Sequence, residues 1–287
     1  MPASYRLLDR YPFDWTGLED FSAYSFDEQG LPRVLDSVIG WYYNPITIAQ
    51  YGLVQSQRFY QTKDPACKSR ALICCRWLRE NGASQPDGAL VWLYDLDLPF
   101  YGLRAPWMSA MAQGEAISLL LRCSFWQERD ACLAAAQAAR QVFDRSVAEQ
   151  GVVDTLLSGH EVFEEYPTQP ASHVLNGHIF SLLGLYDYAC WSRQPQDRQR
   201  VEAGLQTCVQ AWRNWDVGYW TLYDLHPSRR LASRMYHQVH IRQMRLLGAL
   251  FEAQQLEQVA LRWKTMLKSP WCSLRWLAAK VQEKARI

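Results

Sequence analysis

Apolar positions along this chain recur in two alternating styles. In the first, a run is apolar nearly all round: Ser109 to Trp126 (SAMAQGEAISLLLRCSFW) and Val174 to Trp191 (VLNGHIFSLLGLYDYACW). A helix of that kind must be covered on most sides. In the second, apolar residues form a single stripe. Cys67, Ala71, Cys74, Cys75 and Leu78 share the spacing of Val201, Leu205, Cys208, Val209 and Trp212, and Leu256, Val259, Ala260, Trp263 and Leu267 follow closely. That spacing gives a 3.6-residue helix one dry face and one wet face. Helix-like runs begin near Ile46, Ser109, Val174 and Tyr236, each followed by a second near Ala66, Ala131, Arg198 and Gln254. The starts lie about 60–65 residues apart, longer than the two-helix repeats of common solenoids. The pattern predicts an all-α fold, an incomplete (α/α) toroid of about four helix hairpins. The dry helices form its inner ring and the striped helices its outside. Residues 1–287 are read as one such domain, with 1–42 an N-terminal extension packed on it.

Three connecting segments are short, β-prone and rich in aromatic and acidic residues: Ala89 to Asp97 (ALVWLYDLD), Glu161 to Tyr166 (EVFEEY) and Gly218 to Asp224 (GYWTLYD). Each predicts a short strand or extended stretch across the mouth of the ring. Each leads through a Pro-containing turn into the next inner helix. Loops on a rigid scaffold favour function, so chemistry is expected where these loops meet the inner-helix N-termini.

Composition narrows the field. A 287-residue chain that is 49% hydrophobic can bury a substantial core. Its net charge of +1 gives no reason to expect nucleic acid or a membrane surface as partner. No stretch has the length and apolarity of a spanning helix, and MPASYRLLDR lacks a signal-peptide apolar region. Of eight cysteines, five fall on outer-helix stripes (Cys67, Cys74, Cys75, Cys132 and Cys208), where a thiol acts as a small hydrophobe. With no CxxC pair, the expectation is a reduced, cytoplasmic protein. Aromatic residues make up 13% of the chain, many of them outside the helices. Most of these pack loops. The rest suit a sugar-binding groove, because a sugar ring has apolar C–H faces and a hydroxyl rim.

Three constellations carry candidate chemistry. The densest is Glu164, Glu165, Tyr166, Pro167, with Asn176 and His178 at the start of the next inner helix. It reads either as a solvated acidic turn with helix capping or as a base–acid pair, carboxylate beside phenol. The second is Tyr223, Asp224 and His226, then Arg229, Arg230, Arg234, Tyr236, His237 and His240. Tyr236, His240 and Gln243 share one helix face. The basic residues form an exposed turn or hold a carboxylate. A zinc site at His237 and His240 lacks the i, i+4 spacing and adjacent glutamate of a metalloprotease helix. The third is Gln113, Glu115, Ser118 and Arg122 on an inner helix. It is read as an internal polar network, with Gln113 or Glu115 the candidates for substrate contact. Phosphate loops, G-x-S-x-G and dinucleotide fingerprints are absent from the sequence, which disfavours phosphoryl transfer, serine hydrolysis and hydride transfer.

Five stretches together resemble the C-terminal catalytic domain of D-glucuronyl C5-epimerases: YNPITIAQYGL from Tyr43, WMSAMAQGEAISLLLR from Trp107, EEYPTQPASHVLNGHIFSLLGLYDY from Glu164, TLYDL from Thr221 and YHQVHIRQMRL from Tyr236. The resemblance implies an incomplete (α/α) toroid of about four helix pairs and conversion of glucuronic to iduronic acid. It places the family's catalytic glutamate and tyrosines on Glu165, Tyr166, Tyr223 and Tyr236. Asn44, Trp107, Gln113, Glu115, Asn176, His178, His226, Arg234, His237 and His240 are the expected substrate contacts. There are two departures. Vertebrate members carry a β-hairpin and a β-sandwich region before this domain, so a different substrate grip is expected here. The family's arginine after YDL is replaced by His226, with Arg229 and Arg230 nearby.

The expected reaction removes the C5 hydrogen, α to the carboxylate, and returns it on the opposite face. The resulting enolate-like charge needs donors or cations, and two proton-transferring groups must flank the ring. Glu165 and Tyr236 are the expected flanking pair, and Tyr166 and Tyr223 the relay. Arg234, His237 or His226 is expected to assist the phenols, whose ordinary pKa near 10 makes them poor bases. No metal or organic cofactor is expected. The expected partners are a uronate-containing oligosaccharide or polysaccharide and, in a homodimer, a second copy of the chain. A polysaccharide lyase, a two-carboxylate glycoside hydrolase and a non-catalytic glycan binder are the competing readings.

Overall fold

The computed structural model describes residues 6–7, 10–18 and 20–284. The described chain is mostly helical, with short strands. The first eight helices fall into four hairpins: α1 (Pro45–Thr62) with α2 (Pro65–Asn81), α3 (Ala110–Cys123) with α4 (Arg129–Arg140), α5 (Leu175–Ser192) with α6 (Pro195–Ala211), and α7 (Arg234–Phe251) with α8 (Gln254–Lys268). A ninth, α9 (Pro270–Lys284), packs on α8. The sequence reading did not anticipate it.

Similar local chemistry makes three of the hairpins tight. The first helix ends on a residue in the left-handed region, Lys63 (φ 60°), Arg193 (φ 58°) or Glu252 (φ 54°), whose N–H closes the last turn. One further residue, and in two cases a proline at the first helical position, starts the return helix. A left-handed residue cannot continue a helix, and proline at N1 forfeits no intrahelical bond.

The first helices pack in chain order, α1 on α3, α3 on α5 and α5 on α7, and each second helix packs behind its partner. All of α3 and α5 from Leu175 to Ala189 are buried, as their all-round apolarity predicted. On α2 the buried residues are those of the predicted stripe. By contrast, α7 buries only one face, because among the described residues no further first helix follows it in the row.

The seam between α3 and α5 is closest. A Cβ placed on Gly184 would lie 2.1 Å from the Gly114 carbonyl oxygen, so only hydrogen lets the two backbones approach. Beside it, the buried Arg122–Asp187 pair joins the helices, with Ser118 Oγ donating to Asp187 at 2.6 Å. The polar stripe on α3 is thus largely an internal network. Gly184→Ala is expected to destabilise the protein by about 1–3 kcal/mol through overpacking, read as a lowered melting temperature. An unchanged melting temperature would mean that the seam can open without cost.

Strands decorate the connections. A three-stranded antiparallel sheet of β1 (Ser25–Phe26), β2 (Pro32–Asp36) and β3 (Gly40–Tyr42) precedes α1. Two-stranded ribbons pair β4 (Ala83–Ser84) with β5 (Leu90–Val91), β6 (Leu93–Tyr94) with β7 (Trp107–Met108), and β8 (Val153–Thr155) with β9 (Glu161–Phe163). The predicted third segment, Gly218 to Asp224, makes only isolated bridges at Thr221 and Leu222. In the N-terminal extension, Tyr11 and Phe13 are buried and Trp15 stacks on Phe180 of α5 at 5.2 Å. Among the described residues no helix is long and apolar enough to cross a membrane.

Candidate active site

Glu165 leaves β9 and turns its carboxylate against the first turn of α5. A Cβ on Gly177 would sit 2.4 Å from its Oε2, so the glycine is what admits the carboxylate. Asn176 donates to the same oxygen at 3.3 Å, and the Tyr223 hydroxyl donates to Oε1 at 3.3 Å. Burial raises the Glu165 carboxyl to about 7, against the opposing pull of hydrogen bonds from Tyr166 and Tyr223 and the charge of Arg230. A carboxyl near neutrality both takes and gives a proton at physiological pH.

The phenols behave differently. Burial, and then the Glu165 charge, push Tyr166 and Tyr223 well above their ordinary value, and the same causes raise Tyr236 to about 12. All three therefore hold their protons at neutral pH. The rings of Tyr223 and Tyr236 meet edge to face at 4.8 Å, so a chain of polar groups runs from Glu165 through Tyr223 to Tyr236.

Two cavities meet at this cluster. One, of about 330 Å³, is walled by the first helix of each of the four hairpins and the N-terminal extension, and Glu165, Tyr166 and Tyr236 line it together. The other, of about 420 Å³, opens past Tyr101, Tyr223 and Arg230 towards Lys280 on α9. Tyr166 and Tyr236 line both, so they stand at the junction.

The other expected contacts divide. Asn44 lines the smaller cavity and also caps α1, accepting from Thr47 N at 3.2 Å. Asn176 lines it as well. His226 sits beside Tyr101, 5.4 Å between rings. Trp107 backs the site: it stacks on Tyr94 at 4.2 Å and meets Tyr166 edge-on at 5.8 Å. Glu115 is fully buried, held by Gln50 Nε2 at 3.0 Å, and burial raises its carboxyl well above the ordinary range. It therefore stays neutral behind the cavity wall.

Five residues stand apart from the cluster. Gln113 accepts from Trp92 N at 3.1 Å and donates to Leu90 O and Ala139 O, pinning loops to α3. His178 bridges Phe163 N and Gly204 O, both at 3.0 Å. His237 and His240 share the Thr221 hydroxyl at 2.8 and 3.0 Å, with His237 also held by Trp263 O. Burial lowers His178 and His237 to about 4 and His240 well below its ordinary value, so none carries charge at neutral pH. Arg234 is exposed at the start of α7. The neutral imidazoles supply no cation to the phenols.

Arg230, which the sequence reading placed only in a basic run, lies against the phenols. It pairs with buried Asp224, shares the Tyr101 hydroxyl, and lies over the Tyr223 ring at 5.0 Å. Its charge lowers both Glu165 and Tyr236. Arg230→Gln is accordingly expected to cut turnover by roughly 10-fold or more and to move the acid limb of the pH–rate profile upwards. A downward move, or none, would remove Arg230 from the electrostatics of the site.

Asp154, Glu164 and His173 also converge, with ligand-type atoms within 4.8 Å of one another. Glu164 is already engaged by Ser172 Oγ at 2.7 Å and His173 N at 3.0 Å, and its pairing with the imidazole raises His173 against the effect of burial. The arrangement works as a charge-assisted clamp on the loop that carries Glu165 and Tyr166.

A helical-hairpin protein with a near-neutral buried carboxyl and three protonated phenols where two cavities meet is equipped for acid–base chemistry on a polar ligand. The chain belongs to the D-glucuronyl C5-epimerase C-terminal family, whose model matches residues 87–265. It is 32% identical to the D-glucuronyl C5-epimerase of Caenorhabditis elegans over 174 residues, 55% of this chain and 28% of that protein. It is 24% identical to an uncharacterised protein of Methanocaldococcus jannaschii over 158 residues, 54% of this chain and 51% of the relative. The chain thus spans about a quarter to a half of the curated relatives it matches. Family membership supports an epimerase role in general.

Proposed function

We propose that the protein inverts C5 of a uronic acid unit in a glycan, D-glucuronate to L-iduronate, on a single incomplete (α/α) toroid. Glu165 takes the C5 hydrogen as a proton from one face of the ring. Tyr236 delivers a proton from the other, and the two exchange roles in reverse. Tyr223, hydrogen-bonded to Glu165 and in ring contact with Tyr236, returns the proton between them. Tyr166 at the junction donates to the developing enolate, and Arg230 offsets its charge, the largest expected contribution in such chemistry. The carrying observation is that Glu165, Tyr166 and Tyr236 line one cavity while the carboxyl alone is poised near neutrality.

A lyase would use the same carbanion but expel the C4 substituent. Incubation with a glucuronate-containing oligosaccharide, followed by proton NMR and chain-length analysis, separates the two. The expected products are iduronate signals at unchanged chain length. Ultraviolet-absorbing unsaturated uronate with shortened chains would overturn the proposal in favour of elimination.

A further inference from the structure

The two cavities that meet at Tyr166 and Tyr236 differ in charge. The larger carries Arg230 and Lys280 together with Glu283. The smaller carries the carboxylates of Asp20 and Glu165, and among the described residues no lysine, arginine or histidine lines it.

Two buried polar atoms in the wall of the smaller cavity are also unmet. Asn176, 1% exposed, spends its Nδ2 on Glu165 Oε2 at 3.3 Å and on Met111 Sδ at 3.9 Å, and its Oδ1 accepts from nothing in the protein. Trp15 stacks on Phe180, one turn after Asn176 on α5, and its Nε1–H has no protein acceptor. Both residues line the cavity. A buried acceptor and a buried donor left open are costly until something fills them. A hydroxyl or an acetamido group supplies both a donor and an acceptor, and the C–H faces of a sugar suit the aromatic wall. A sulfate or a second carboxylate would instead lose its water beside Asp20 and Glu165 with no cation to replace it.

We propose that the smaller cavity holds the sugar next to the reacting uronate and selects an uncharged one, a neutral hexose or an N-acetylhexosamine. The carboxylate of the uronate then turns towards Arg230 in the larger cavity. This placement rests on the uronate reading of the active site.

The test uses two hexasaccharides of alternating glucuronate and glucosamine, alike except that one is N-acetylated and the other N-sulfated. Each is titrated calorimetrically into the full chain, then followed for deuterium uptake at C5. The N-acetylated chain is expected to bind roughly 10-fold or more tightly than the N-sulfated one. Trp15→Phe, which keeps a ring but removes the N–H, should weaken binding of the N-acetylated chain roughly 3-fold or more. Met235 is exposed and lines the cavity, so Met235→Lys should supply the missing cation and narrow the preference by roughly 3-fold or more. The second variant keeps the test valid if the first fails to fold. Equal or tighter binding of the N-sulfated chain, no binding of either up to about 10 mM, or a preference untouched by both variants would overturn the inference. Selective binding without deuterium uptake would leave the charge selection standing and remove C5 inversion. Equal binding and uptake with both chains would do the reverse.

Discussion

Replacing Glu165 by glutamine is expected to lower turnover by roughly 100-fold or more with the fold intact, about 2.7 kcal/mol of transition-state stabilisation. Glutamine keeps the shape and one acceptor oxygen, for either Tyr223 or Asn176, but it cannot take a proton. Tyr236→Phe, which removes the opposed hydroxyl, is expected to fall by a comparable factor. Near-normal turnover in both variants would exclude these groups from the chemistry. The pH dependence carries the same signature. In the direction where Glu165 is the base, activity should rise with pH and level off above about 7, the value to which burial lifts the carboxyl. Stability should run the other way. The folded carboxyl keeps its proton to higher pH than the unfolded one, near 4.3, so the folded state binds more protons between the two values. This group therefore costs stability progressively as pH rises through that window and levels off above about 7. Glu165→Gln should flatten that slope, and a slope that steepens would contradict the assignment.

Asp187→Ala is expected to destabilise the protein by about 3–5 kcal/mol, a large fraction of the 5–15 kcal/mol typical of a folded domain. Asp187 and Arg122 are both buried, joining α5 to α3, with Arg122 Nη2 donating to Oδ1 at 3.3 Å beside the closer Nη1 contact. Removing the carboxylate leaves a guanidinium in a dry seam. The loss should be largely undone by replacing both partners with apolar residues of similar volume, because the pair is far costlier broken than absent. A denaturant midpoint for Asp187→Ala within about 1 kcal/mol of the parent would show that water reaches the seam. Activity should track folding in this variant, unlike in the Glu165 and Tyr236 variants, since the seam orients Asn176 and the loop before it only through α5.

The hairpins were legible because burial leaves a period. All-round apolarity marked α3 and α5, and stripes marked α2, α6 and α8. The ninth helix was not, although Pro270 follows a serine in capping position and Trp276 donates to Ala232 O at 3.0 Å. Its outer face also carries Trp271, Leu274 and Val281, all exposed, so no clean wet-and-dry pattern marks it. The candidate site was legible where residues are neighbours in sequence, as at Glu165 and Tyr166, which line one cavity. It was less so where the fold chooses among equals. Arg229, Arg230 and Arg234 look alike in the chain, and only the buried Asp224 and the Tyr101 hydroxyl single out Arg230. The histidines misled for a related reason. A buried neutral imidazole that ties two strands of backbone together, as His178 does, has the same sequence signature as one that meets a ligand. Gly177 was quoted as part of a motif, but its role as a seat for the Glu165 carboxylate depends on a distance no spacing encodes.

One carbon-bound hydrogen, removed on one face and restored on the other from solvent-exchanged groups, is the centre of the account. The direct measurement is incubation of a glucuronate-containing oligosaccharide with the protein in deuterated water, read by NMR and mass spectrometry. Deuterium at C5, with chain length unchanged and incorporation abolished in Glu165→Gln, is the predicted result. Full retention of C5 hydrogen by a demonstrably folded and glycan-bound protein would contradict it.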